Sequence, residues 1–246
     1  MDTGNFMQGH GWRRVRRTSL RFCALLLGVS AAAEAGQPLA TDDAAIVAAR
    51  TCQLEAWAES SHADREYWAQ PACNFTGDLE LTIGGAITEP PPGGRSGAAA
   101  LQAKSTVLPR GDGSVAFGVS AGAMRDMSAP HGHSAFQTYY AKALASWYPR
   151  GDTEVDFNAG AANVYGTGTF ALSGVAVQYA VVPRLQLLAE TYRDAPGRGK
   201  YQAGLRFAAV PNVLEAYASY GARLGRGAED WSVTVGIRAQ STTFLP

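Results

Sequence analysis

The last strand-like run of the chain alternates apolar and polar residues with a period of two. Trp231, Val233, Val235, Ile237 and Ala239 interleave with Ser232, Thr234, Gly236, Arg238 and Gln240. Such a period puts the two sets on opposite faces of one strand. Tyr201-Ala203-Leu205-Phe207 interleaves in the same way with Gln202-Gly204-Arg206, and Val155-Phe157-Ala159-Ala161 with Glu154-Asp156-Asn158-Gly160. Leu79-Leu81-Ile83 against Glu80-Thr82-Gly84 is a fourth example. Each run extends to about ten residues, the length a tilted strand needs to cross a bilayer. Helical spacing is confined to Thr41–Val47, where an N-cap residue precedes a short apolar run.

The breaks between runs are of two kinds. Phe75-Thr76-Gly77-Asp78, Pro109-Arg110-Gly111-Asp112-Gly113, Pro149-Arg150-Gly151-Asp152, Pro183-Arg184 and Pro211-Asn212 read as compact turns, with proline presetting φ and Gly, Asp or Asn following. The repeated Pro-Arg-Gly-Asp is a turn signature here rather than an adhesion signal. Longer polar stretches alternate with these turns, near His62–Arg65, Glu89–Gly97, Arg125–Ser134, Asn163–Gly168, Asp194–Gly199 and Arg223–Asp230. Short turns at one end and longer loops at the other define an all-β, membrane-spanning, antiparallel up-and-down barrel of about 12 strands, with periplasmic turns and extracellular loops. The strands are expected at 52–60, 66–74, 78–88, 98–108, 114–124, 135–147, 153–162, 169–181, 184–193, 200–209, 212–221 and 230–240. The second is interrupted by Pro71, and the fourth is built of small residues.

The N-terminus supplies the address. Arg13, Arg14, Arg16, Arg17 and Arg21 precede an apolar run from Phe22 to Val29 that ends among Ala31, Ala32, Ala33 and Ala35. A basic start, a short apolar core and small residues make a secretory signal peptide over residues 1–35, too short for a spanning helix. Residues 36–51 then form a periplasmic N-terminal segment, and 52–246 the barrel. Removal of 1–35 takes away five arginines and two acids, leaving sixteen basic against nineteen acidic side chains, a net −3. No basic excess points to nucleic acid. Cys23 leaves with the signal. Cys52 and Cys73 remain, and an oxidising periplasm favours a disulfide between them. A first hairpin centred on His62 and Ala63 sets these cysteines opposite each other at the periplasmic rim, though it also opposes Glu59 to Glu66.

In a membrane barrel the apolar face meets lipid and aromatics gather at the two interfaces. Tyr139, Tyr201, Tyr220 and Trp231 fall near the outer ends, and Trp147, Tyr179 and Phe207 near the inner ends. The other face carries Glu55, Glu80, Lys104, Lys142, Asp156, Glu190, Arg206, Glu215 and Arg238, together with Glu59 and Glu154. Charges do not face lipid cheaply, so these are the candidate lumen-lining residues, pairing across strands. Lys142 with Asp156, and Arg206 with Glu190 or Glu215, are the expected neighbours. The set reads either as a water-filled structural network or as a filter on solute charge.

Pro38-Leu39-Ala40-Thr41-Asp42-Asp43-Ala44, followed by Thr51-Cys52-Gln53-Leu54-Glu55-Ala56-Trp57, resembles the start of a group of proteobacterial outer-membrane barrels. Ala72-Cys73-Asn74-Phe75, Leu101-Gln102-Ala103-Lys104, Tyr201-Gln202-Ala203-Gly204-Leu205-Arg206 and the ending Thr243-Phe244-Leu245-Pro246 are similar too. That group is related to barrels associated with the phenol meta-cleavage pathway and described as transporters. The resemblance implies the barrel and supplies no catalytic motif. The terminus departs from barrel practice, because Phe244 is followed by Leu245-Pro246 and is out of phase with Trp231.

His131-Gly132-His133-Ser134 is the one segment that invites an enzymatic reading. It falls in a loop with no carboxylate evidently placed to orient an imidazole, as a hydrolase needs. Two histidines without a third ligand form only a weak metal site, so a solvated loop is the favoured reading, and no cofactor motif is present. The chain is therefore expected to be a non-enzymatic barrel of the cell outer membrane. Its partners are outer-membrane lipid, the outer-membrane assembly machinery and small solutes. A passive channel or transport-related role is favoured. The alternatives are a non-conducting structural or surface-interaction barrel, a barrel hydrolase, or a soluble lipocalin-like carrier.

Overall fold

The computed structural model describes residues 38–90, 93–111, 114–127, 135–195, 199–225 and 230–241. The expected signal peptide, the His131–Ser134 loop and the ending at Thr243–Pro246 lie outside the described residues. Twelve strands follow one another among those described: β1 (Thr51–Ser61), β2 (Arg65–Asn74), β3 (Glu80–Glu89), β4 (Ser96–Leu108), β5 (Val115–Asp126) and β6 (Thr138–Arg150), then β7 (Thr153–Val164), β8 (Gly168–Val182), β9 (Leu185–Arg193), β10 (Lys200–Val210), β11 (Leu214–Arg223) and β12 (Trp231–Gln240). Each pairs antiparallel with its sequence neighbours, and β1 closes on β12 from Gln53↔Gln240 to Ser61↔Ser232. Closure leaves no unpaired strand edge, which a sheet in hydrocarbon could not tolerate.

The elements agree with the pattern-based expectation to within a few residues, and the departures have local causes. β11 starts at Leu214 rather than at 212, because Asn212 takes φ 60° in the preceding turn. β6 runs on past Trp147 to Arg150, its register to β7 shifting where Pro149 removes a donor. Pro71 is accommodated inside β2, where the β2–β3 register passes from Ala69↔Gly85 to Ala72↔Thr82. The first hairpin has the register read from the sequence. Cys52 lies opposite Cys73 and is disulfide-bonded to it, and Glu59 lies opposite Glu66.

Burial is inverted relative to a water-soluble protein. Ile83, Val235 and Ile237 are 63%, 50% and 47% exposed, whereas Glu80, Asp156 and Arg238 are 6%, 0% and 6% exposed. Apolar side chains thus cover the outside of the cylinder and charged ones its inside, as a barrel in lipid requires. Tyr139, Tyr201, Tyr220, Trp147, Tyr179 and Phe207 are exposed on the outer face, and Trp231 is half-buried.

Residues 38–50 enter the barrel. Leu39, Thr41, Asp43, Ala44 and Val47 are buried among inward-facing strand residues. Thr41–Val47 is not helical but irregular and extended. Its backbone amides find carboxylates and amides on the barrel wall, and those bonds replace the ladder that a helix would have formed within itself.

Candidate functional site

The lumen is occupied lengthwise by this segment. At one end, the Gln202 side chain near the start of β10 donates to the Pro38 carbonyl. At the other, the Asn74 amide at the end of β2 donates to the Val47 carbonyl (2.7 Å), and Arg50 N donates to Asn74 O (2.7 Å). Arg50 has φ 61°, which turns the chain out of the lumen and into β1. The segment therefore spans most of the barrel's height.

Between these ends, wall and segment are matched group by group. Glu190 accepts from both Ala40 N (2.8 Å) and Thr41 N (2.9 Å). Asn158 accepts from Asp42 N (2.8 Å) and donates to Asp42 O (2.6 Å), a reciprocal pair. Ser146 accepts from Ala44 N (2.9 Å) while donating to Asp156 (2.6 Å), and Thr106 donates to Ala44 O (2.8 Å). Glu80 accepts from Val47 N (2.8 Å). A peptide backbone removed from water loses its hydration, and these bonds restore it.

Two ion pairs hold the acidic doublet. Lys104 Nζ lies 2.6 Å from Asp43, with both side chains buried, and Lys142 pairs with Asp42. Glycine provides the clearance. A Cβ on Gly174 would collide with the Thr41 hydroxyl, and one on Gly118 would come within 3.0 Å of the Ala44 carbonyl.

A second network lines the wall along β8 and β10 to β12. Glu215 faces Arg238 directly across β11 and β12, with an Nη2–Oε2 distance of 2.8 Å, and Arg206 Nε lies 3.7 Å from the same carboxylate. Arg206 also donates to Gln178 (3.0 Å). The indoles of Trp57 and Trp68 stack with centroids 5.6 Å apart, and Trp68 Nε1 donates to Glu66 (2.8 Å).

The residues chosen from the sequence are all found on the inward face. Glu55, Glu80, Lys104, Asp156, Glu190, Arg206 and Arg238 are buried, and Lys142 and Glu215 nearly so. Their pairing needs one correction. The β6–β7 register sets Lys142 opposite Gly160 and Asp156 opposite Ser146, so Lys142 does not meet Asp156. Asp156 is held by Ser146 and Gln178, and Lys142 turns to Asp42. Of the two partners expected for Arg206, Glu215 is the one it meets, because the β9–β10 register sets Arg206 opposite Gln186 and Glu190 opposite Gln202. Asp42, Asp43, Ser146, Asn158 and Gly174 were not among the lumen-lining candidates drawn from the sequence. An acidic doublet just ahead of a barrel with inward lysines was the available signal.

A closed antiparallel cylinder with an apolar outside and a charged, occupied lumen defines the class as a barrel of the outer-membrane porin fold. Among solved structures, the KdgM porin in complex with disordered oligogalacturonate is similar at a TM-score of 0.56 and 8% identity, covering 76% of this chain and 98% of that one. The NanC porin in a rhombohedral crystal form gives a TM-score of 0.56 at 9% identity, with coverage of 76% and 98%. No curated protein matches the chain. The chain belongs to the family described as uncharacterised conserved protein UCP029691, whose model matches residues 23–240.

Proposed function

We propose that this chain is an outer-membrane barrel for the passive passage of small solutes, held closed by residues 38–50. The observation that carries the reading is how the lumen is filled. One strand of backbone closes it, joined to the wall by separable hydrogen bonds and two ion pairs, and a polar wall stands behind that strand. The apolar outer face supports a place in lipid, and the basic, apolar and small-residue run of 1–35 supports export and delivery to the assembly machinery. The resemblance to barrels associated with the phenol meta-cleavage pathway suits a transport role. The oligogalacturonate of the KdgM structure is a polyanion, and the acid-rich lumen here gives no reason to carry that ligand over. No catalytic role is assigned to the barrel.

The competing reading is a barrel that conducts nothing, favoured by how completely the segment is satisfied. Planar-bilayer recording separates the two. The mature chain should give small or infrequent current steps, and a chain lacking residues 36–47 should give larger, steady ones. Silence from both, in protein shown to be folded by its heat-modifiable gel mobility, would sink the channel and leave the structural barrel.

A further inference from the structure

We propose that the solutes selected by this barrel are small cations. The inference rests on the channel reading above and adds to it the sign of the charge that passes. It starts from a cavity of about 440 Å³ at the loop end, above Pro38 and Ala40. Among the described residues, five carboxylates line it, those of Glu59, Asp64, Glu66, Asp194 and Asp230, against the cations Lys200 and Arg223 and the imidazole of His62. Both cations are committed: Lys200 lies 3.1 Å from Asp194, and Arg223 lies 3.6 Å from Asp230. Asp64 and Glu66 are left with neutral donors, the Ser61 hydroxyl and the Trp68 indole. Glu59 stands directly across from Glu66, a like-charge juxtaposition that is unfavourable for the hairpin.

The imbalance continues down the lumen. Lys104 and Lys142 pair with Asp43 and Asp42, and Arg206 and Arg238 share Glu215. Glu80 and Glu190 are satisfied by backbone N–H groups, and Asp156 by Ser146 and Gln178. A neutral donor solvates a carboxylate without cancelling its charge. A path lined by a net excess of carboxylates draws cations in and keeps anions out. Among the described residues no three or more His, Cys, Asp or Glu are grouped to hold a metal ion. The attraction is therefore spread along the path, which lets an ion leave as readily as it enters. Removal of the segment takes Asp42 and Asp43 away and frees two lysines. Glu55, Glu80, Asp156, Glu190 and Glu215 then face Lys104, Lys142, Arg206 and Arg238 on the wall, and the five carboxylates of the loop end remain.

The test is the reversal potential of the refolded chain in a planar bilayer under a roughly tenfold KCl gradient, the cation-channel arrangement of acidic rings being the comparison. The expected result is reversal on the potassium side, with potassium several-fold more permeant than chloride, in the mature chain and in the chain lacking residues 36–47. Glu59→Gln with Glu66→Gln should bring the ratio toward one. This full-length variant carries the test if the shortened chain does not fold. Reversal at zero or on the chloride side overturns the inference while leaving the channel standing. Absence of current in folded protein removes the channel and the inference with it.

Discussion

Lys104 and Asp43 meet at 2.6 Å with almost no access to water. A buried pair of this kind gains little over an apolar replacement, but removing one partner strands the other. Lys104→Met is therefore expected to cost about 3–5 kcal/mol in urea unfolding of the barrel, with much of that recovered when Asp43→Asn is added. A single variant as stable as wild type would show that the pair is not buried in the working state. The residue scale is also where sequence reading stopped short. Alternation could say that Lys104 and Lys142 face inward, since period two leaves only two faces. It could not say that their partners lie on residues 42 and 43, which belong to no strand and have no register.

At the scale of elements, β8 and the 38–50 segment depend on each other through one missing methyl group. Gly174 lies where any side chain would strike Thr41, which is itself fully buried. Gly174→Val is expected to leave the barrel closed, because its register to Asn158 in β7 does not depend on the segment. The segment, however, should lift away, and limited proteolysis of the folded protein should then cut within residues 38–50 where wild type resists. The first hairpin is secured differently. Cys52 and Cys73 link β1 to β2 across 21 residues at the end where the segment leaves the lumen. Cys73→Ser should lower stability by roughly 2–4 kcal/mol, read from the urea midpoint against the oxidised parent. This pairing was legible beforehand because a hairpin with a short turn has only a few registers, and each register determines what opposes Cys52.

For the whole molecule, the claim that matters is which face meets lipid. Val235 lies midway along β12 and is 50% exposed on the outer face. Val235→Arg should cost about 2–4 kcal/mol in protein unfolded from liposomes, the penalty for a midplane charge on a lipid-facing strand. A water-soluble carrier with the same strands would accept that change at its surface without loss. The twelve-strand count, its even parity and the closure of β1 on β12 all follow from strand lengths and turn chemistry distributed along the chain. They were readable because a barrel of hairpins pairs nearest neighbours in sequence, so local signals already contain the topology.

The sequence by itself therefore determined the strands, the face of each that is charged, the order of pairing and the cysteine bridge. These depend on periodicity and on contacts between adjacent hairpin arms. Only the tertiary structure decided what fills the cylinder. Residues 38–50 meet β3 through Glu80, β7 through Asn158, β9 through Glu190 and β10 through Gln202, contacts 33 to 164 residues apart in sequence. No periodicity spans such separations. The closed ring brings these walls within hydrogen-bond reach of one backbone, and the lumen's ion pairs were settled by that encounter.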